Sequence, residues 1–263
     1  EAIEGLLIAY QNLAYYYNSL EDHEAVIEAA LRGIPLAENL EDLERAGRLY
    51  RRLGASYYYA GEPLKAARAH EQAAEVRGEN GDLEAQAEDR LWAAPMYMQA
   101  FAYREAIDLL EDWLEGDYSN EDLSVRSAAL NDLGVCYLRI GEYELAREST
   151  LAAMELKREI GAREDESASL GNLAAISSDM GDYEQALEFY FQALELEREM
   201  GDREEEAQTL DNIGRAYSDM GRYDQAWSFF HQSLDLRRDI DDGVGEVKVL
   251  NRIGALHFEL GEM

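Results

Sequence analysis

The sequence predicts an all-α chain in which antiparallel helix pairs stack into a solenoid. Internal repetition carries most of the weight. Gly141, Gly181, Gly221 and Gly261 fall 40 residues apart, as do Ala66, Ala106, Ala146, Ala186 and Ala226. A third series, Ala14, Gly54, Ala94, Gly134, Ala174, Gly214 and Gly254, is always small. Three residues after each stands Tyr17, Tyr57, Tyr97, Tyr137, Ser177, Tyr217 or His257. Composition agrees. Ala, Leu, Glu and Arg are good helix formers, and three prolines (Pro35, Pro63, Pro95) are too few for a turn-rich sandwich or barrel.

The period divides the chain into copies at 1–40, 41–80, 81–120, 121–160, 161–200, 201–240 and an incomplete 241–263. That makes one array of six helix pairs plus a seventh first helix. The copy at 161–200 shows the logic. From Asp165 to Asp179, Ala168, Leu170, Leu173, Ala174 and Ile176 recur at helical spacing. Gly181 suits a left-handed C-terminal cap and Asp182 an N-cap. The second helix carries Ala186, Leu187, Tyr190, Ala193, Leu194 and Leu196 and ends near Gly201. Small residues let the two helices approach, and tyrosine and leucine fill the space between them. The first copy lacks the turn glycine, and its turn reads one residue short. The third, around 83–118, is the most degenerate, with Trp92 and Pro95 in its first helix and Phe101 at the turn-glycine position. It reads either as drift in a tolerant array or as a proline bend between two half-arrays. The chain stops at Glu262-Met263, where a second helix is due, so a longer parent with further repeats or an effector domain is expected.

Leu133-Gly134-x-x-Tyr137, Gly141-x-Tyr143-x-x-Ala146 and Ala153 in one copy, with Ile213-Gly214-x-x-Tyr217, Gly221-x-Tyr223-x-x-Ala226, Phe230 and Ser233 in another, resemble the tetratricopeptide repeat. The likeness covers almost the whole chain. It departs from the usual form in its period, 40 against about 34, the extra residues lengthening the second helix and its exit. The longer form is similar to repeats of spindle-orientation adaptors, kinesin light chains, bacterial peptide-pheromone receptors and sensory regions of bacterial signalling proteins. The resemblance implies a right-handed superhelix whose first helices line a concave groove.

The formal charge is −32. Nucleic acid is therefore not an expected partner, because binding it requires a basic surface that displaces counterions. Docking on an anionic membrane is disfavoured for the same reason, and no apolar run approaches the roughly 18 residues of a span. The only lysines are Lys65, Lys157 and Lys248; all other cations are arginines. Abundant acid with scarce lysine suits a halophile, or a GC-rich genome encoding Arg for Lys. The lone cysteine, Cys136, excludes an internal disulfide and points to a reducing, cytoplasmic setting.

No catalytic constellation is visible, so the chain reads as a non-enzyme with no cofactor. His70 and His257 fall on core positions, and His23 and His231 belong to different copies with no cysteine nearby. Asp239-x-Asp241-Asp242-Gly243 misplaces the glycine of a calcium loop and lacks its terminal glutamate. Gly243-x-Gly245 follows a helix rather than a strand, so it is no dinucleotide fingerprint. Cys136 lies between core positions and reads as an inert thiol.

The resemblance implies groove contacts at positions two, five, six, nine, twelve and thirteen of each first helix, the small residue being position eight. Position six then holds Asn12, Arg52, Trp92, Asp132, Asn172, Asn212 and Arg252, and position five holds Gln11, Arg51, Asn131, Asp211 and Asn251. An amide donates and accepts at once, so Asn172 and Asn212, one repeat apart, could grip a peptide backbone. Arg48, Arg51 and Arg52 cluster on one helix, and Arg139, Arg215, Lys248 and Arg252 also map inward. Arginine suits bidentate carboxylate recognition, although Asp179, Asp219 and Glu259 at position thirteen could pair with these cations instead. Tyr15, Tyr16, Tyr58 and Tyr59 flank the N-terminal part of the groove.

The expected function is a protein-interaction scaffold, within a bacterial signalling or scaffolding protein, that binds a peptide or partner protein. The expected ligand bears a carboxylate at Arg48, Arg51 and Arg52, with its backbone on Asn172 and Asn212. Two other readings stay open: a regulatory region of an enzyme or transcription regulator, and a self-assembling solenoid whose terminal helix exposes Val247, Leu250, Ile253, Leu256 and Leu260.

Overall fold

The computed structural model describes residues 1–116 and 122–259. Among them are thirteen α-helices and no strand. The chain divides into two compact units, Glu1–Ile140 and Gly141–Met263. The first holds α1 (Ala2–Ser19), α2 (His23–Asn39), α3 (Leu43–Tyr59), α4 (Pro63–Glu79), α5 (Leu83–Gln99), α6 (Tyr103–Glu115) and α7 (Leu123–Ile140). The second holds α8 (Tyr143–Ile160), α9 (Arg163–Asp179), α10 (Tyr183–Met200), α11 (Arg203–Asp219), α12 (Tyr223–Asp239) and α13 (Gly243–Glu259). Within each unit every helix packs on its neighbours in sequence. This is the all-α architecture of paired helices that the 40-residue period predicts.

The turns repeat every 20 residues, two to each 40-residue copy. Gly61, Gly81, Gly141, Gly161, Gly181, Gly201 and Gly221 have positive φ, and so do Glu21, Glu41, Phe101 and Asp241. At the turns that end α1 to α5 and α8 to α12 the next amide bonds a carbonyl five residues back, as in Asp182 N to Ser177 O at 2.9 Å and Asp202 N to Glu197 O at 2.9 Å. This bond closes a Schellman cap. The same residue then begins the following helix. The carboxylates of Asp22, Asp42, Asp82, Asp182, Asp202 and Asp242 each accept from the amide three residues on. One aspartate thus closes one helix and opens the next, and this sets the tight antiparallel pairing.

Two expectations need correction. The first turn is not one residue short. α1 ends at Ser19 and α2 begins at His23, the same interval as Tyr59 to Pro63, with Glu21 (φ 57) in the glycine's place. The division between compact units also falls after Ile140 and not in the third copy, where Pro95 lies inside the continuous helix α5 from Leu83 to Gln99. Phe101 takes the left-handed conformation (φ 59) despite its side chain.

The small-residue series is the contact line inside each pair. Ala14, Ala94 and Ala174 are fully buried. A Cβ on Gly214 would meet the Phe230 ring at 2.6 Å, and one on Gly54 would strike the His70 ring. His70 and Phe230 are themselves buried, so His70 is a core residue. On α13, Gly254 meets nothing within 4 Å among the described residues, and Val247 and Leu250 are exposed, while Ile253 and Leu256 are buried against α12. Leu260, Gly261, Glu262 and Met263 lie outside the described residues.

Candidate functional site

A column of charged residues occupies one position near the end of the second helices. Lys157, Glu197 and Arg237 are buried, and Arg77 nearly so. Each is held by the neighbouring first helix. Arg77 Nε lies 3.2 Å from Asp89, Lys157 donates to Ser169 Oγ at 2.9 Å, and Arg237 donates to Gln208 Oε1 at 3.1 Å. Glu197 Oε1 accepts from Ser167 Oγ on α9 at 2.8 Å and from Thr209 Oγ1 on α11 at 3.0 Å. One carboxylate on α10 therefore joins both flanking helices. Its other oxygen, Oε2, is buried without a hydrogen-bond partner. Burial pushes the Glu197 carboxyl above its ordinary range; the two hydroxyls work against that, and Glu205 and Asp202 add to it. Sequence reading missed this column. The spacing of Arg77, Lys157, Glu197 and Arg237 at multiples of 40 residues was the available signal, obscured because the residue type changes from copy to copy.

Glu197 opens onto a cavity of about 480 Å³ formed by α9, α10 and α11. Asn172, Asn212 and Arg215 line it, together with Ala168, Gly171, Ala175 and Gln208, all at inward-mapped positions of their helices. Asn212 Oδ1 accepts from Gln208 Nε2 at 3.4 Å, and both asparagines are half-buried. The structure thus brings three of the sequence-predicted residues into one concave site. Four cations, Arg252, Arg237, Arg215 and Lys248, act on Asp211, which is buried on α11. Arg252 Nε stands 2.9 Å from its carboxylate, an ion-pair distance without hydrogen-bond alignment. Burial raises the Asp211 carboxyl against the opposing pull of Arg252, Arg237, Arg215 and Lys248. Burial likewise draws the Arg252 guanidinium below its ordinary value, with Asp211 opposing. Lys248 and Asn251 stand exposed on α13.

In the first unit the arginine cluster is largely engaged. Arg48 pairs with Glu44 one turn earlier. Arg51 bonds Asp89 Oδ1 at 2.6 Å and Glu88 Oε2 at 2.8 Å. Asp89 is completely buried and also faces Arg77 and His70. Arg52 lies 4.8 Å above the Tyr15 ring, and its Nη1 is buried without a hydrogen-bond partner. Burial lowers its pKa, Tyr15 works against that, and the Arg48 charge lowers it further. Beside this cluster Tyr58, Tyr59, His70, Trp92 and Met96 line a mainly aromatic cavity of about 440 Å³. Asn12 and Arg139 are exposed on α1 and α7, and Asn131 is half-buried on α7.

Cys136 is fully buried, and burial with the nearby Asp132 pushes its thiol up to about 12. Among the described residues no group of three His, Cys, Asp or Glu side chains is arranged to hold a metal ion, and no helix is long and apolar enough to cross a membrane.

Residues 124–199 and 165–239 match the tetratricopeptide repeat model. This segment carries tetratricopeptide repeats. Solved structures repeat the fold. The nearly identical TPR-like repeats assigned to a Podosopora anserina kinesin light chain superpose at a TM-score of 0.63 and 18% identity, covering 73% of this chain and 95% of that one. RapI in its apo form gives a TM-score of 0.63 at 14% identity, over 98% of this chain and 99% of that chain. MamA gives 0.56 at 19%, over 72% and 97%. At these identities the likeness is one of fold. None of the curated proteins compared matches the sequence. In TPR terms, the cavity between α9, α10 and α11 is formed by two successive first helices and the second helix packed between them.

Proposed function

We propose that this chain is a protein-interaction module that holds a peptide segment of its partner and acts by binding, not by catalysis. The observation that carries the reading is the α9–α11 cavity, where Asn172 and Asn212 stand one repeat apart in the same concavity. Two amides at one repeat's separation can each pair with the backbone of an extended segment, and this holds it in one direction whatever its side chains. The Rap protein, which shares the fold at a TM-score of 0.53, was solved in complex with Competence and Sporulation Factor. A cytoplasmic place in a bacterial signalling or scaffolding protein fits the long-period repeat and the buried thiol. The test is selection of a random displayed peptide library on the intact chain, followed by binding to the Asn172→Ala/Asn212→Ala variant. Each lost amide should weaken the selected peptides by about 1–3 kcal/mol. Peptides that bind variant and parent equally would place the interaction elsewhere.

A second reading concerns the first unit. Arg52, half-buried with an unsatisfied Nη1 and a like charge at Arg48, favours an acidic group of the partner near α1 and α3. Arg52→Ala should then weaken an acidic peptide and spare its amidated counterpart. Equal loss for both peptides would remove this reading.

A further inference from the structure

We infer that the α9–α11 cavity receives a basic side chain of the bound peptide, with Glu197 as its counter-charge. This rests on the reading of that cavity as a peptide site. It runs opposite to the acidic ligand that the groove arginines suggest from sequence.

The cavity wall carries four carboxylates (Asp165, Glu197, Asp202 and Glu205) against one guanidinium, Arg215. No cation lies within ion-pair distance of Asp165, Glu197 or Glu205 among the described residues. Lys157 and Arg237, the buried cations one repeat away on either side in this column, are directed to Ser169 and to Gln208 and Asp242, and neither is part of the wall. Arg215 is exposed and acts on Asp211 and Tyr190. Glu197 differs from the other acids. It is 3% exposed, two hydroxyls fix its Oε1, and its Oε2 has no partner.

A buried carboxylate oxygen with nothing to accept from is a standing cost to the fold, since desolvated charge is stabilised only when it is paired. Ser167 and Thr209 hold the group from two helices, so it cannot swing out to water without losing both bonds. A primary ammonium or guanidinium entering the cavity supplies the missing donor and the missing charge together. The long apolar stem of lysine or arginine would pack along Ala168, Gly171 and Ala175 on α9. Asn172 and Asn212 would hold the peptide backbone while the side chain reaches inward. Glu197 would then select the residue and the asparagines the direction of the chain.

The experiment uses the intact chain and the displayed peptide library, and reads binding by fluorescence anisotropy. Peptides that depend on Asn172 and Asn212 should share a lysine or arginine at one position. Glu197→Gln keeps the Oε1 acceptor for Ser167 and Thr209 and removes the charge, so it should weaken these peptides about tenfold. Replacing the basic residue by norleucine in the peptide should cost the same factor, and doing both should cost no more than either. The peptide-side change also serves if the protein variant folds poorly. Asparagine-dependent peptides with no shared basic residue, or with affinity unchanged by Glu197→Gln, would overturn the inference and leave the peptide site standing. Loss of binding on acetylating the peptide's amino terminus would assign the cation to that group and overturn the side-chain proposal. If no selected peptide depends on the two asparagines, both readings fall.

Discussion

Gly214 and Gly254 occupy the same place in successive repeats, yet substitution by alanine should move stability in opposite directions. A Cβ on Gly214 meets Cδ1 and Cε1 of Phe230 at 2.6 Å, and that ring is fully buried with no flexible end to withdraw. Overpacking of this kind costs about 1–3 kcal/mol, while the gain in helix propensity from Gly to Ala returns about 0.8–1 kcal/mol. Gly214→Ala should therefore lose on the order of 1 kcal/mol net. Among the described residues a Cβ on Gly254 meets nothing within 4 Å, so only the propensity gain remains and Gly254→Ala should gain up to about 1 kcal/mol. Both glycines lie in the same compact unit, so one urea transition followed by helical circular dichroism reads both. Phe230→Leu in the Gly214→Ala background should recover part of the loss, because it removes the clash and not merely core volume. Shifts of the same sign for the two alanine variants would refute the idea that this position exists to admit the side chain opposite.

Gly181→Ala forces an L side chain into φ +81 and should cost about 1–2 kcal/mol, whereas Phe101→Gly, which relieves a φ of 59, should stabilise by a comparable amount in the same urea assay. Because burial raises the folded-state pKa of Glu197, the native chain binds its proton more tightly than the unfolded chain. The parent should lose stability as pH rises from the ordinary carboxylate value through the raised one. Glu197→Gln removes that slope, so its advantage in thermal melts should be full above the raised value and vanish below the ordinary one; parallel curves would contradict this. Cys136, buried and with its thiol pushed up to about 12, should resist maleimide at pH 8 until urea unfolds its unit, and rapid labelling of the native chain would show the thiol to be accessible.

The sequence by itself determined the helix pairs and their interval. Small residues, turn glycines and capping aspartates act through local backbone geometry, and geometry of that kind leaves a periodic mark in the chain. The family resemblance carried by that pattern also implied that Asn172, Asn212 and Arg215 face inward, and the three do line one cavity. What the sequence did not decide is what each long polar side chain touches. Glu21, Glu41 and Phe101 take the left-handed turn because the packed helices on either side require it, against their own preference. Arg51 reads as a free anchor until Asp89, 38 residues away in the chain, is seen buried beneath it. Glu197 reads as one of many surface acids. Only α9 and α11 closing on α10 remove it from water, fix one oxygen and leave the other without a donor. Burial belongs to the assembled helices, and the charge of a buried group depends on neighbours that the local sequence does not contain.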